Sequence, residues 1–203
     1  MKVGSSIILL LICAAAKAHE PVRGRISATV GPYLYQTHLK RNYPGFDSPE
    51  RLGFGISVLG DVDKNGGIEA GMFYINKFFF RKADTLAVKE KVKRMYITLG
   101  YRHWFTSRFS FAGAFFSSYL MGDPVIVQTD FVPKEASPAT SALDNVDYGG
   151  DFSLQWEVWR LKGEMQPTFI IDLRYSISNT SRDHEDSDHR AVYFAYKQEV
   201  RLR

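Results

Sequence analysis

The chain has 203 residues, 45% hydrophobic and 24% charged, with 26 Lys and Arg against 22 Asp and Glu. That length fits one domain, and no apolar run beyond the first eighteen residues could form a transmembrane helix. Those eighteen read as a cleaved leader: Lys2, then the short apolar stretch Ile7 to Ala14, then an A-x-A site at Ala16-Lys17-Ala18. Cleavage is expected after Ala18, leaving 19–203 as the mature domain. Without Lys2 and Lys17 the charge is 24 − 22 = +2, which excludes an electrostatic case for nucleic acid. Cys13, the only cysteine, falls in the leader, so the mature chain forms no disulfide. A lipoprotein would use Cys13 as its lipidation site, but Ile12 stands where such sites have a small residue.

The mature chain then repeats one pattern, large apolar residues at every second position, which is the period of a strand with one apolar face. The first predicted strand is Gly24 to Tyr35, with Ile26, Ala28, Val30 and Leu34 on one face. The second, Leu52 to Gly60, shows Leu52, Phe54, Ile56 and Val58. The third, Gly67 to Phe80, carries Ile68, Ala70, Met72 and Tyr74 and ends in the cluster Phe78 to Phe80. The fourth is Val92 to Trp104, with Met95, Ile97, Leu99 and Tyr101. The fifth is Arg108 to Met121, with Phe109, Phe111, Phe115, Tyr119 and Met121. In the sixth, Tyr148 to Trp159, the apolar set Tyr148, Phe152, Leu154, Trp156 and Val158 is separated by Asp151, Ser153, Gln155 and Glu157. The seventh is Thr168 to Ile177 and the eighth Ala191 to Leu202, each alternating in the same way.

The connections alternate in length. Those at 36–51, 81–91, 122–147 and 178–190 are each longer than the neighbouring ones at 61–66, 105–107 and 160–167. Strands of about ten residues, at ~3.3 Å per residue and a tilt of ~40°, cover about 25 Å. The fold class predicted is therefore all-β, an eight-stranded antiparallel transmembrane β-barrel with its odd connections facing outward. A secreted lipocalin has similar strands and length. Against it stand the bulky aromatics of the apolar face, with Tyr35, Tyr101, Trp104, Tyr119, Tyr148, Trp159 and Tyr175 placed as interfacial girdles. The opposite face mixes Gly53, Gly55, Gly100, Ala112 and Ala114 with charges of both signs, the filling that a narrow barrel accommodates.

On this architecture the chain resembles the small eight-stranded outer-membrane proteins of the OmpA-barrel, OmpX and OmpW kind. The resemblance implies a place in the outer membrane of a Gram-negative bacterium. The implied partners are outer-membrane lipid, lipopolysaccharide and the barrel assembly machinery. One departure is the end of the chain, Val200-Arg201-Leu202-Arg203, where such barrels have an aromatic residue that the assembly machinery reads.

Several side-chain groups are candidates for function. The polar face brings Arg94, Arg102, Glu157, Asp172, Arg174, Lys197, Glu199 and Arg201 toward the lumen. Burial in a narrow barrel requires such charges to pair, giving a plug, with a gated path for small solutes as the competing reading. Arg81, Lys82, Lys89, Lys91 and Lys93 flank the second outward connection, where they would meet lipopolysaccharide phosphates. Asp183, His184, Asp188 and His189 lie in the last outward connection and form a weak candidate for a divalent cation. Asp61-Val62-Asp63-Lys64-Asn65-Gly66 matches half of a calcium loop, but Met72 replaces the bidentate glutamate, so a plain hairpin turn is expected. No nucleophile, base and acid are spaced as an enzyme needs. His103 is followed by Trp104 and Phe105 and not by the His-x-Ser pair of lipid A deacylases. No cofactor is implied. The reading is a non-enzymatic barrel serving envelope structure or surface interaction; transport of small solutes is the alternative, and lipid A modification a weaker one.

Overall fold

A computed structural model describes residues 23–39, 50–83, 86–123, 125–129, 146–161, 167–178 and 187–200. The strands are β1 (Ile26–Leu39), β2 (Arg51–Asp61), β3 (Gly66–Ala83), β4 (Leu86–Trp104), β5 (Phe109–Leu120), β6 (Val125–Thr129), β7 (Asp147–Arg160), β8 (Thr168–Ser178) and β9 (Ser187–Val200). Antiparallel ladders run β1–β2–β3–β4–β5–β7–β8–β9, and β9 closes back onto β1 from Ile26↔Val200 to Leu39↔Ser187. With β6 set aside, this is a closed eight-stranded antiparallel barrel. Closure leaves no unpaired edge around the wall, the condition for strands to cross a lipid bilayer.

The alternation resolves in one direction. Along β7, Phe152, Leu154, Trp156 and Val158 are exposed, while Asp151, Ser153, Gln155 and Glu157 between them are buried. β8 repeats this, with Phe169, Leu173 and Ile177 outward and Asp172, Arg174 and Ser176 inward. An apolar outside around a polar inside is the reverse of a soluble barrel such as a lipocalin. It matches a wall solvated by hydrocarbon.

Ile26 and Val200 sit at one end with the short turns, so the termini and the even connections share that end. The β2–β3 turn is held by Asp63, whose Oδ1 accepts from the N–H groups of Asn65 (2.6 Å) and Gly66 (3.0 Å). Tyr101 donates its hydroxyl to Asp63 Oδ2 at 3.0 Å. The Asn65 amide first, then the Tyr101 hydroxyl, hold this exposed carboxyl below the usual aspartate range. Asp61, the first residue of the calcium-like run, instead turns into the barrel and pairs with Arg25. The segment is a turn, as expected, but Gly66 begins β3 without a positive φ. The Asn65-Gly66 pair is therefore not the centre of a two-residue type I′ loop.

At the opposite end the structure departs from the expected boundaries. β2 pairs with β3 no further than Phe54↔Tyr74, yet β3 and β4 stay paired to Ala83↔Leu86. The connection expected at 81–91 is thus mostly ladder. Where β5 stops at Leu120↔Arg94, β6 takes over the same edge of β4, from Lys91↔Val125 to Val88↔Thr129. Gly122, with φ 134°, stands in the offset between β5 and β6. β3, β4 and β6 together make a three-stranded extension that stands beyond the rim. The stretch from 75 to 83 adds about 20 Å at ~3.3 Å per residue and a ~40° tilt.

Candidate functional site

The barrel interior is filled in tiers. Nearest the termini, Lys197 Nζ lies 2.7 Å from Glu157 Oε1, and Arg160 Nη2 reaches Glu157 Oε2 at 3.2 Å. Lys197 also sits 4.7 Å over the ring of Trp104. Beside them Arg25 bridges Asp61 (3.3 Å) and Glu199 (2.7 Å).

The middle tier is a network of two guanidiniums and three carboxylates. Arg102, with a fully buried side chain, binds Glu69 through Nε (2.5 Å) and Nη2 (3.1 Å). It also reaches Asp172 at 3.3 Å and the hydroxyls of Ser110 (3.0 Å) and Ser153 (2.8 Å). Arg174 binds Glu69 (2.6 Å), Asp172 (3.0 Å) and Asp151 (3.3 Å). Ser176 donates to Asp151 at 2.6 Å. Each strand contributes through the same inward alternation: β3 gives Glu69, β4 Arg102, β7 Asp151, and β8 Asp172 and Arg174. In this low-dielectric setting each charge holds its neighbours in place, because moving one strands another.

Above the network lies an aromatic tier. Phe73 stacks beneath the Arg174 guanidinium at 4.5 Å and meets Tyr33 (4.8 Å) and Tyr193 (5.4 Å). Gly55 makes room here, since a Cβ would collide with the Phe73 ring, and Tyr193 donates its hydroxyl to the Gly55 carbonyl at 3.0 Å. His189 packs against Tyr35 (5.1 Å), Tyr33 (5.7 Å) and Tyr96 (5.7 Å), with its Nε2 2.9 Å from the Tyr33 hydroxyl. Tyr96 stacks on Phe116 at 4.6 Å. At the outer end of the interior, Arg94 donates to Ser118 Oγ at 3.1 Å, and Asp147 accepts from Ser178.

Of the lumen charges expected from sequence, Arg94, Arg102, Glu157, Asp172, Arg174 and Lys197 are buried in the interior. Glu199 is only half-buried and serves the terminal rim through Arg25, because the barrel mouth is open to solvent there. Arg201 lies outside the described residues. Glu69 and Asp151, central to the network, are not among the lumen charges expected from sequence. Their inward positions, opposite in phase to Ile68 and Phe152, were the available signal.

Two girdle assignments are corrected. Tyr35 and Trp104 are 2% and 6% exposed and point into the barrel. Tyr35 follows Leu34 out of phase, and its hydroxyl bonds the Asn76 backbone. Tyr101, Tyr119, Tyr148 and Trp159 are exposed on the outer wall. His189 does not belong to an outward loop: β9 begins at Ser187, and the ring is buried among tyrosines. Asp183 and His184 lie outside the described residues, as does the side chain of Asp188. Lys93 is exposed and Lys91 half-buried on the β4 extension. Arg81, Lys82 and Lys89 stand in its ladder, at positions opposite Val88, Ala87 and Phe80.

Among solved structures, the outer membrane protein OprG from Pseudomonas aeruginosa superposes with a TM-score of 0.53. It shares 13% identity, over 91% of this chain and 99% of that one. The Yersinia pestis attachment invasion locus protein Ail, solved with the heparin analogue sucrose octasulfate, gives 0.48 at 12% identity over 87% and 99%. Neisserial surface protein A gives 0.41 at 9% over 86% and 97%. No protein-family model matches the chain, and no curated protein does. The closed ladder, the inverted polarity and the OprG likeness define the class: a small eight-stranded β-barrel of the outer-membrane kind.

Proposed function

We propose that this chain is a plugged barrel of a Gram-negative outer membrane that serves envelope structure and surface interaction, without catalysing a reaction. The observation that carries this reading is the filled interior. Arg102, Arg174, Glu69, Asp151 and Asp172 lock the middle of the lumen, and Tyr33, Phe73, Tyr96 and His189 fill the space above. An eight-stranded barrel has room for side chains and little else. What remains for partners is the outer end, with the β3–β4–β6 extension and the long connections around it. Lys93 continues the outward column of Met95, Ile97 and Leu99 above the apolar band. A cation there suits lipopolysaccharide phosphates.

The test is external proteolysis of intact cells. The connection between β5 and β7 is the longest, and connections beyond about 12–15 residues without their own structure are commonly functional. Protease added outside is expected to cut within 133–145 and leave a folded barrel core. Cleavage only after the outer membrane is opened would invert the topology and overturn surface interaction. Deleting that segment is expected to abolish partner attachment without lowering barrel yield.

A further inference from the structure

The outer wall bears a second feature, separate from the lumen. Where β1, β9 and β8 pair, their outward residues form two cross-strand rows. The upper row is Gln36, Arg190 and Tyr175, and the row beneath it is Leu34, Val192 and Leu173. Along them lies an open groove of about 350 Å³, which Glu50 also lines. That volume is within the ~300–1,000 Å³ of ordinary ligand sites. Gln36 is ten residues along β1 from Ile26, so the upper row stands about 25 Å above the terminal rim at ~3.3 Å per residue and ~40° tilt. The groove therefore runs from the apolar band up to headgroup level.

Arg190 is exposed, its guanidinium 5.9 Å over the Tyr175 ring. Among the described residues no carboxylate pairs with it. A cation held against an aromatic ring above an apolar wall is arranged for an amphipathic anion. We propose that this groove holds one phosphate-bearing lipid of the outer leaflet, its acyl chain along Leu34, Val192 and Leu173 and its phosphate on Arg190. Glu50, which lines the same groove, accepts from a headgroup hydroxyl or ammonium. The site rests on the outer-membrane reading, but it concerns the opposite side of the barrel from Lys93.

The experiment is native mass spectrometry of the refolded full chain, released from neutral detergent after exposure to a diacyl phosphatidate or to diacylglycerol with the same chains. The wild type is expected to retain one phosphatidate per barrel and little diacylglycerol. Arg190→Gln is expected to lower phosphatidate retention at least tenfold, with Lys93→Gln, which removes one charge elsewhere, leaving it unchanged. Val192→Trp, which fills the groove, is expected to lower retention with the cation intact, and carries the test should the Arg190 variant not fold. Folding is scored independently by the heat-dependent gel shift of a closed barrel. Equal retention of both lipids, equal loss from both charge variants, or displacement by millimolar inorganic phosphate would overturn the site while leaving the barrel reading intact. Failure of the wild type to enter bilayers would instead strike the outer-membrane reading.

Discussion

Glu69 is the residue whose loss the interior tolerates least. It joins Arg102 and Arg174, and Glu69→Ala leaves two buried guanidiniums competing for Asp151 and Asp172. Removing one partner of such a group costs about 3–5 kcal/mol, to be read from urea unfolding in lipid vesicles. Asp63 is the contrasting case, an exposed carboxylate that organises a turn. Its folded pKa is depressed, so its contribution is complete above the ordinary aspartate range, near ~3.9, and fades as pH falls through the lower folded value. NMR titration is expected to show Asp63 ionising below a model aspartate, and Tyr101→Phe to move that midpoint upward. Sequence made Arg102 and Arg174 legible because a charge among alternating apolar residues has one place to go. It did not make Glu69 legible, since a glutamate beside a calcium-like run invites a different reading.

The strands were readable wherever lipid lies on one face and packing on the other. β7 and β8 came within a residue of their observed ends for that reason. The extension of β3 and β4 was not readable: beyond the bilayer neither face needs to be apolar, and the run from Arg81 to Lys93 loses its period of two. The apolar stretch Val125 to Val127 reads as a prolongation of the fifth strand, and β6 does carry on that strand's pairing along β4. Depth gives this scale its own prediction. Leu154 and Leu173 face each other across the β7–β8 ladder on the outer wall. Arg at Leu173 is expected to cost ~2–4 kcal/mol, whereas Arg at the more exposed Trp159, near the terminal rim, is expected to cost ~0–1 kcal/mol. Refolding yields in lipid vesicles at graded urea compare the two. Equal costs would contradict the depths assigned here to the two outward positions.

At the scale of the whole molecule, closure and polarity explain why a chain with a single cysteine, and so no internal disulfide, holds together. Every wall strand is paired on both sides, and the interior supplies ion pairs and stacked rings in place of a hydrocarbon core. The aromatic tier is the least legible part: Tyr35 reads as girdle from its place near a strand end, although it and Tyr33 flank the outward Leu34 out of phase and are buried. Whether that filling is a plug is tested most directly by single-channel recording of the purified barrel in planar bilayers. The account predicts little steady conductance from the unmutated protein and a leak on Glu69→Ala. Large, stable single-channel currents from the unmutated protein would contradict it and make the lumen a path for solutes.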